Sequence, residues 1–277
     1  RMTRDVVRVA GVSEAMDLTV IGLDDAVERV LRHPTVANKT FLITIGDRTV
    51  GGLSSRDQMV GPWQVPVADC AVTLADYEGF RGEAMSMGER TPLAMLDAPA
   101  SGRMAVAEAL TNLAAADVQR VEDIKLSANW MAACGVEGQD AALFDTVQAV
   151  SELCQAVGLS IPVGKDSMSM RTQWQSEGQT HKVTSPVSLI ITAFASLTDV
   201  RGTLTPHLDA QTDDTSLLLI DLGQGKSRMG GSVLGQVLGQ FGDQVPDLED
   251  PQALMSLVKA INTLRVQGQI LAYHDRS

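Results

Sequence analysis

No two cysteines in this sequence are spaced C-x-x-C, and no two histidines share a metal-binding spacing. The three cysteines, Cys70, Cys134 and Cys154, are odd in number and far apart, which argues against a disulfide framework and fits a reducing cytoplasm. The four histidines (His33, His181, His207 and His274) form neither H-x-H nor H-x-x-x-H, so a zinc site has no support. Gly-x-Ser-x-Gly and Gly-x-Cys-x-Gly elbows are missing as well, which removes a nucleophilic hydrolase or glutaminase centre. No apolar run reaches the ~18 residues of a membrane span, and Arg1-Met-Thr-Arg-Asp5 has no apolar signal core. Basic residues are outnumbered 22 to 34, a net charge of −12, which speaks against a nucleic-acid partner.

What is present is ordinary globular material. Hydrophobic residues make up 44% of the 277 and charged residues 20%, enough for one large domain or two ordinary ones. An acidic protein that binds phosphate needs a cation or backbone amides to do so.

Met16–Ile21 reads as a short extended stretch and 24–33 as an amphipathic helix. Lys39–Ile45 and Pro66–Leu74 read as strands, with a Gly46-Asp47 turn and the pair Gly51-Gly52 after the first. A helix is expected over Gly102–Ala116 with Ser101 as its N-cap, and another over Ala141–Gly158, ending on a C′ glycine. Pro162–Ser167 reads as a glycine turn, and the polar stretch Gln173–Thr184 as a break in composition. Val187–Leu197 and Ser216–Leu222 read as strands, with a helix over Pro251–Gln267. The fold class is α/β (or α+β), with a boundary near 173–186.

Three oxygen-bearing side chains carry the chemistry. Asp69 closes the run Val65-Pro-Val-Ala68, and Glu108 and Asn112 stand four residues apart on one helix face. Taken singly, Asp69 reads as a turn cap and Glu108 as a solvated residue. An Asn one turn from a Glu, on a helix otherwise lined with Ala, asks for a reason. Ligation of a hard cation such as Mg²⁺, shared with phosphate, supplies one. The competing phosphate motifs fail. Gly164-Lys-Asp-Ser167 has Leu159 where a P-loop needs glycine. Gly223-x-Gly-x-x-x-x-Gly-Gly231 misses the dinucleotide spacing.

Three runs carry a family likeness: Gly51-Gly-Leu-Ser-Ser-Arg-Asp-Gln-Met-Val-Gly-Pro-Trp-Gln-Val-Pro-Val-Ala-Asp-Cys70, Gly79-Phe-Arg-Gly-Glu-Ala-Met-Ser-Met-Gly-Glu-Arg-Thr-Pro92 and Pro162-Val-Gly-Lys-Asp-Ser-Met-Ser-Met170. With them the sequence resembles, over essentially its whole length, the large single-chain phosphoribosylformylglycinamidine synthases of purine biosynthesis. These are ATP- and glutamine-dependent ligases of the aminoimidazole ribonucleotide synthetase-like group. The resemblance implies an N-terminal domain with barrel-forming strands followed by an α/β C-terminal domain. Two such units form a pseudo-dimer, with a glutaminase domain beyond them.

This chain resembles the second unit. The likeness implies a linker over 1–36, a synthetase-type N-terminal domain over 37–184 and part of the C-terminal domain over 185–277. The start at Arg1 and the stop at Ser277 lead us to expect a piece of a longer polypeptide. The likeness also places Mg²⁺ ligands on Asp69, Glu108, Asn112 and Asp275, and contacts to ATP or ADP on Lys39, the backbone beside Ala68, and Ser277. In the family this second site is auxiliary. The catalytic histidine resembles the first unit, and the glutaminase cysteine lies in the glutaminase domain. We therefore expect no catalytic residue here, an inactive isolated fragment, the first unit and the glutaminase domain as partners, a possible homodimer and a cytoplasmic location. The alternative is an interaction module that binds no nucleotide.

Overall fold

A computed structural model describes residues 6–9, 13–46 and 53–276. Its helices are α1 (Leu23–Arg32), α2 (Thr40–Ile45), α3 (Ala98–Leu113), α4 (Gln139–Val157), α5 (Val233–Leu238) and α6 (Pro251–Val266). Its strands are β1 (Ala71–Leu74), β2 (Gly82–Glu89), β3 (Lys125–Met131), β4 (Ser160–Ser167), β5 (Arg171–Ser176), β6 (Gln179–Thr184) and β7 (Ser188–Leu197). Five strands form one mixed sheet in the order β1-β2-β7-β3-β4, as a mixed α/β fold requires. All pairs are antiparallel except β3 with β4, which α4 joins as a crossover.

Strand β7 lies between β2 and β3, so residues on both sides of position 184 belong to one sheet. One face of the sheet is covered by α3, and the other leaves Met87 57% and Phe194 38% exposed.

Packing between α3 and the sheet depends on small residues. Ala105 and Ala109 are fully buried. A Cβ on Gly88 of β2 would collide with the Ala105 carbonyl and meet the Ala109 nitrogen at 2.6 Å. A Cβ on Gly102 would meet Thr146 Cγ2 at 2.6 Å and Val150 Cγ2 at 2.9 Å, which sets α4 equally close. The core then runs through Leu110, Leu113, Leu126, Leu189 and Ile191, and α6 adds Leu254. Burying side chains of this size contributes roughly 1.5–3 kcal/mol each.

Several expected elements form where they were read. Helix α4 ends on Gly158, whose φ of 73° suits a residue without a Cβ. Helices α1 and α6 form over the stretches read as helical, and β7 matches its apolar run.

Others differ for physical reasons. Met16–Ile21 contains a 3₁₀ turn over Leu18–Val20, because Asp17 accepts from the Thr19 nitrogen. Thr40–Ile45 is helical, not a strand: Asn38 Oδ1 accepts from the Thr40 nitrogen at 2.7 Å and opens a helical turn. No described strand lies beside it to reward its β-branched residues. Asp47 of the expected turn and Gly51-Gly52 lie outside the described residues.

Strand β1 begins only at Ala71, because the preceding residues pair with a local turn. The Ala68 nitrogen donates to the Gln58 carbonyl, and the Val60 nitrogen to that of Pro66. Helix α3 starts earlier than expected. Asp97 is its cap, accepting from the Ala100 nitrogen at 2.9 Å, and the Ser101 hydroxyl donates to the Arg90 carbonyl instead. Gly164 stays extended inside β4 rather than turning, because its missing side chain admits the Ala128 backbone of the paired strand. The polar stretch after residue 170 is the β5–β6 hairpin, with Trp174 stacked on His181 at 5.3 Å. Ser216–Leu222 forms no strand, since no described strand pairs with it, and Leu217, Leu218 and Leu219 are 88%, 77% and 71% exposed.

Candidate functional site

Asp69 stands two residues ahead of β1. Continuing the Ala71–Met85 pairing by two residues would set it opposite Met87. The Met87 carbonyl accepts from Asn112 Nδ2 at 3.0 Å, and the Glu89 nitrogen donates to Glu108 Oε2 at 2.7 Å. The two oxygen-bearing residues of α3 therefore clasp the end of β2. They reach it because Gly88 lets the helix approach so closely. Glu108 Oε1 lies 3.3 Å from Arg90 Nη2. Asn112 is held through its amide nitrogen, which leaves its carbonyl oxygen, the atom a hard cation takes, outside that bond.

The chain returns to this place some two hundred residues later. The Tyr273 nitrogen donates to the Thr205 carbonyl at 3.0 Å, and its hydroxyl donates to the Thr111 carbonyl at 2.8 Å. His274 Nδ1 lies 2.8 Å from Asp69 Oδ1, and the Asp275 nitrogen donates to the same oxygen at 3.0 Å. The Asp69 side chain is only 2% exposed. Its second oxygen, Oδ2, is buried and has no hydrogen-bond partner among the described residues.

A buried carboxylate oxygen without a donor is costly, and a metal ion is one of the few groups that can satisfy it. Burial pushes the Asp69 carboxyl up. The Asp275 amide and the His274 imidazole oppose that shift, and the Asp275 charge reinforces it. Burial first, then the charges of Asp275 and Asp69, push the Tyr273 phenol up in the same way.

The four expected metal ligands therefore fall into two pairs, Asp69 with Asp275 and Glu108 with Asn112, linked by the bond from Tyr273 to the Thr111 carbonyl. Among the described residues no three His, Cys, Asp or Glu side chains come together as a metal-holding group. The ammonium of Lys39 donates to the Ala37 carbonyl. Ala68 precedes Asp69 directly, and Ser277 lies outside the described residues. The sequence reading missed Tyr273, His274 and Arg90. Only His274 had a signal, its place beside an expected ligand; Tyr273 acts through one hydroxyl that no spacing announces.

A family described as the FGAR-AT PurM_N-like domain matches residues 38–196 of this chain. The chain belongs to that family. The FGAR-AT PurM_N-like region contains Lys39, Ala68, Asp69, Glu108 and Asn112, whereas Asp275 lies beyond it.

Solved structures with a similar fold include Thermotoga maritima PurL complexed with FGAR. It is 12% identical with a TM-score of 0.48, the match covering 75% of this chain and 30% of that one. T. maritima PurL complexed with AMPPCP is 15% identical with a TM-score of 0.45, covering 73% and 29%. Thiamine monophosphate kinase from Aquifex aeolicus is 9% identical with a TM-score of 0.32, covering 50% and 40%. The chain spans between 21% and 30% of the length of the PurL structures it matches. Among the described residues no helix is long and apolar enough to cross a membrane.

Proposed function

We propose that this chain is the part of a phosphoribosylformylglycinamidine synthase that holds an auxiliary Mg-nucleotide site. On this reading it belongs to the ligase that makes formylglycinamidine ribonucleotide from formylglycinamide ribonucleotide, ATP and glutamine. The supporting observation is the buried Oδ2 of Asp69, beside Asp275 and without a partner among the described residues. Asp69, Asp275, Glu108 and Asn112 would hold Mg²⁺, and Lys39, the backbone beside Ala68, and Ser277 would hold ADP or ATP. When bound, Mg²⁺ neutralises phosphate charge and fixes its orientation. The chain's own part is positional. Met87 and Glu89 hold Asn112 and Glu108, while the two donors on Asp69 Oδ1 fix the plane of that carboxylate. We assign the reacting centre and the ammonia-releasing glutaminase to other parts of the enzyme, and a cytoplasmic location follows from the pathway.

Calorimetric titration with ADP and excess Mg²⁺ tests the reading. We expect a saturable isotherm that Asp69→Ala and Glu108→Ala each abolish. Binding that survives both variants sinks the ligand assignment, and steady phosphate release from ATP, substrate and ammonium sinks the inactivity.

A second reading, an interaction module without nucleotide, rests on the uncovered sheet face at Met87 and Phe194. The same face supports self-association into a homodimer. Sedimentation as a monomer at all concentrations counts against that association.

A further inference from the structure

Asp69 presents its two oxygens to different surroundings. Oδ1 faces two donors from one short segment, the imidazole of His274 at 2.8 Å and the main-chain nitrogen of Asp275 at 3.0 Å. Oδ2 is buried and faces none among the described residues. The side chain is 2% exposed, so the carboxylate cannot turn to exchange the two oxygens without losing both bonds. His274, by contrast, is 62% exposed and not part of the core.

We infer that His274 sets the metal preference of the site by forcing Asp69 to act as a one-oxygen ligand. The inference rests on the metal–nucleotide reading above. With Nδ1 carrying the hydrogen, the imidazole and the Asp275 nitrogen together take up both lone pairs of Oδ1 and leave none for a two-oxygen chelate; without the imidazole one is free. Mg²⁺ is small and octahedral and takes carboxylates through one oxygen. Ca²⁺ takes six to eight oxygens at longer range and accepts carboxylates through both. A carboxylate with one oxygen held by donors therefore suits Mg²⁺ and handicaps Ca²⁺. His274 touches neither metal nor nucleotide in this scheme and is a positioning residue. Partners of this kind change metal affinity by about 10–100-fold when removed.

The test is equilibrium dialysis of labelled ADP against the chain in saturating MgCl₂ or CaCl₂, with the ratio of the two affinities as readout. The intrinsic affinity of ADP for each cation is common to all variants and cancels between them. Wild type should favour Mg²⁺. His274→Ala should shift the ratio toward Ca²⁺ by about tenfold. His274→Asn, whose amide nitrogen sits where Nδ1 does, should restore it. A purely structural histidine would weaken both cations equally and leave the ratio alone, and an unchanged ratio in His274→Ala overturns the inference. Wild type that binds ADP with neither cation overturns the metal–nucleotide reading itself, and this inference with it.

Discussion

The hydroxyl of Tyr273 donates to the main-chain carbonyl of Thr111 at 2.8 Å, one residue before Asn112. This bond ties the segment carrying His274 and Asp275 to the last turn of α3, so the two pairs of expected ligands share one support. Tyr273→Phe removes it at little cost in packing. The Thr111 carbonyl also accepts from the Ala114 nitrogen, so it is not orphaned. We expect a loss of about 1 kcal/mol, a fall in melting temperature of about 2–4 °C, and weaker Mg-ADP binding. Thermal denaturation and calorimetry check both; unchanged binding would mean that the segment does not need this anchor.

Burial raises the Cys70 thiol to about 12, helped by the Asp69 charge, and the Cys154 thiol to about 11, against an ordinary 9.0. A folded value above the unfolded one means that the contribution to stability is intact below pH 9. It is lost as pH rises through 11 and 12. Urea midpoints measured across that window should fall, and Cys154→Ala should flatten the decline. At pH 8 a thiol reagent should reach half-buried Cys134 well before the two buried cysteines.

Gly88→Ala puts a methyl group into the backbone of α3 at Ala105 and Ala109. Backbone yields less than a side chain, so we expect a loss of about 3 kcal/mol. Glu108 and Asn112 should also lift away from β2. Mg-ADP affinity should drop more than in Gly22→Ala, a control just ahead of α1 where an added Cβ meets nothing within 4 Å and φ is −79°. Equal affinities in the two variants would show that the close approach is not what places the ligands.

Much of this was legible where a residue's own neighbours decide the outcome. Leu143, Val150 and Leu153 already marked α4, and the i, i+4 spacing of Glu108 and Asn112 put both on one helix face, which the fold turns to the end of β2. The reading failed where the outcome depends on a distant partner. Thr40–Ile45 and Ser216–Leu222 have strand composition, but composition cannot supply the neighbouring strand that would satisfy their N–H and C=O groups. The Ser101 cap failed because Asp97, four residues earlier, competes for the same helix end. In the site, Asp69 could be nominated from its place at the end of an apolar run. Its dependence on His274 could not, because the two are joined only through the folded chain.

The central place of β7 has a consequence for how the chain comes to be folded. Its register joins Gly82 to Leu197 and Lys125 to Phe194. As the chain emerges during synthesis, β2 and β3 must wait, unpaired on their inner edges, until residue 197 has been made. Long-range pairing of this kind is slow and leaves strand edges open meanwhile. The wait ends later still for Asp69, whose donors among the described residues arrive with His274 and Asp275.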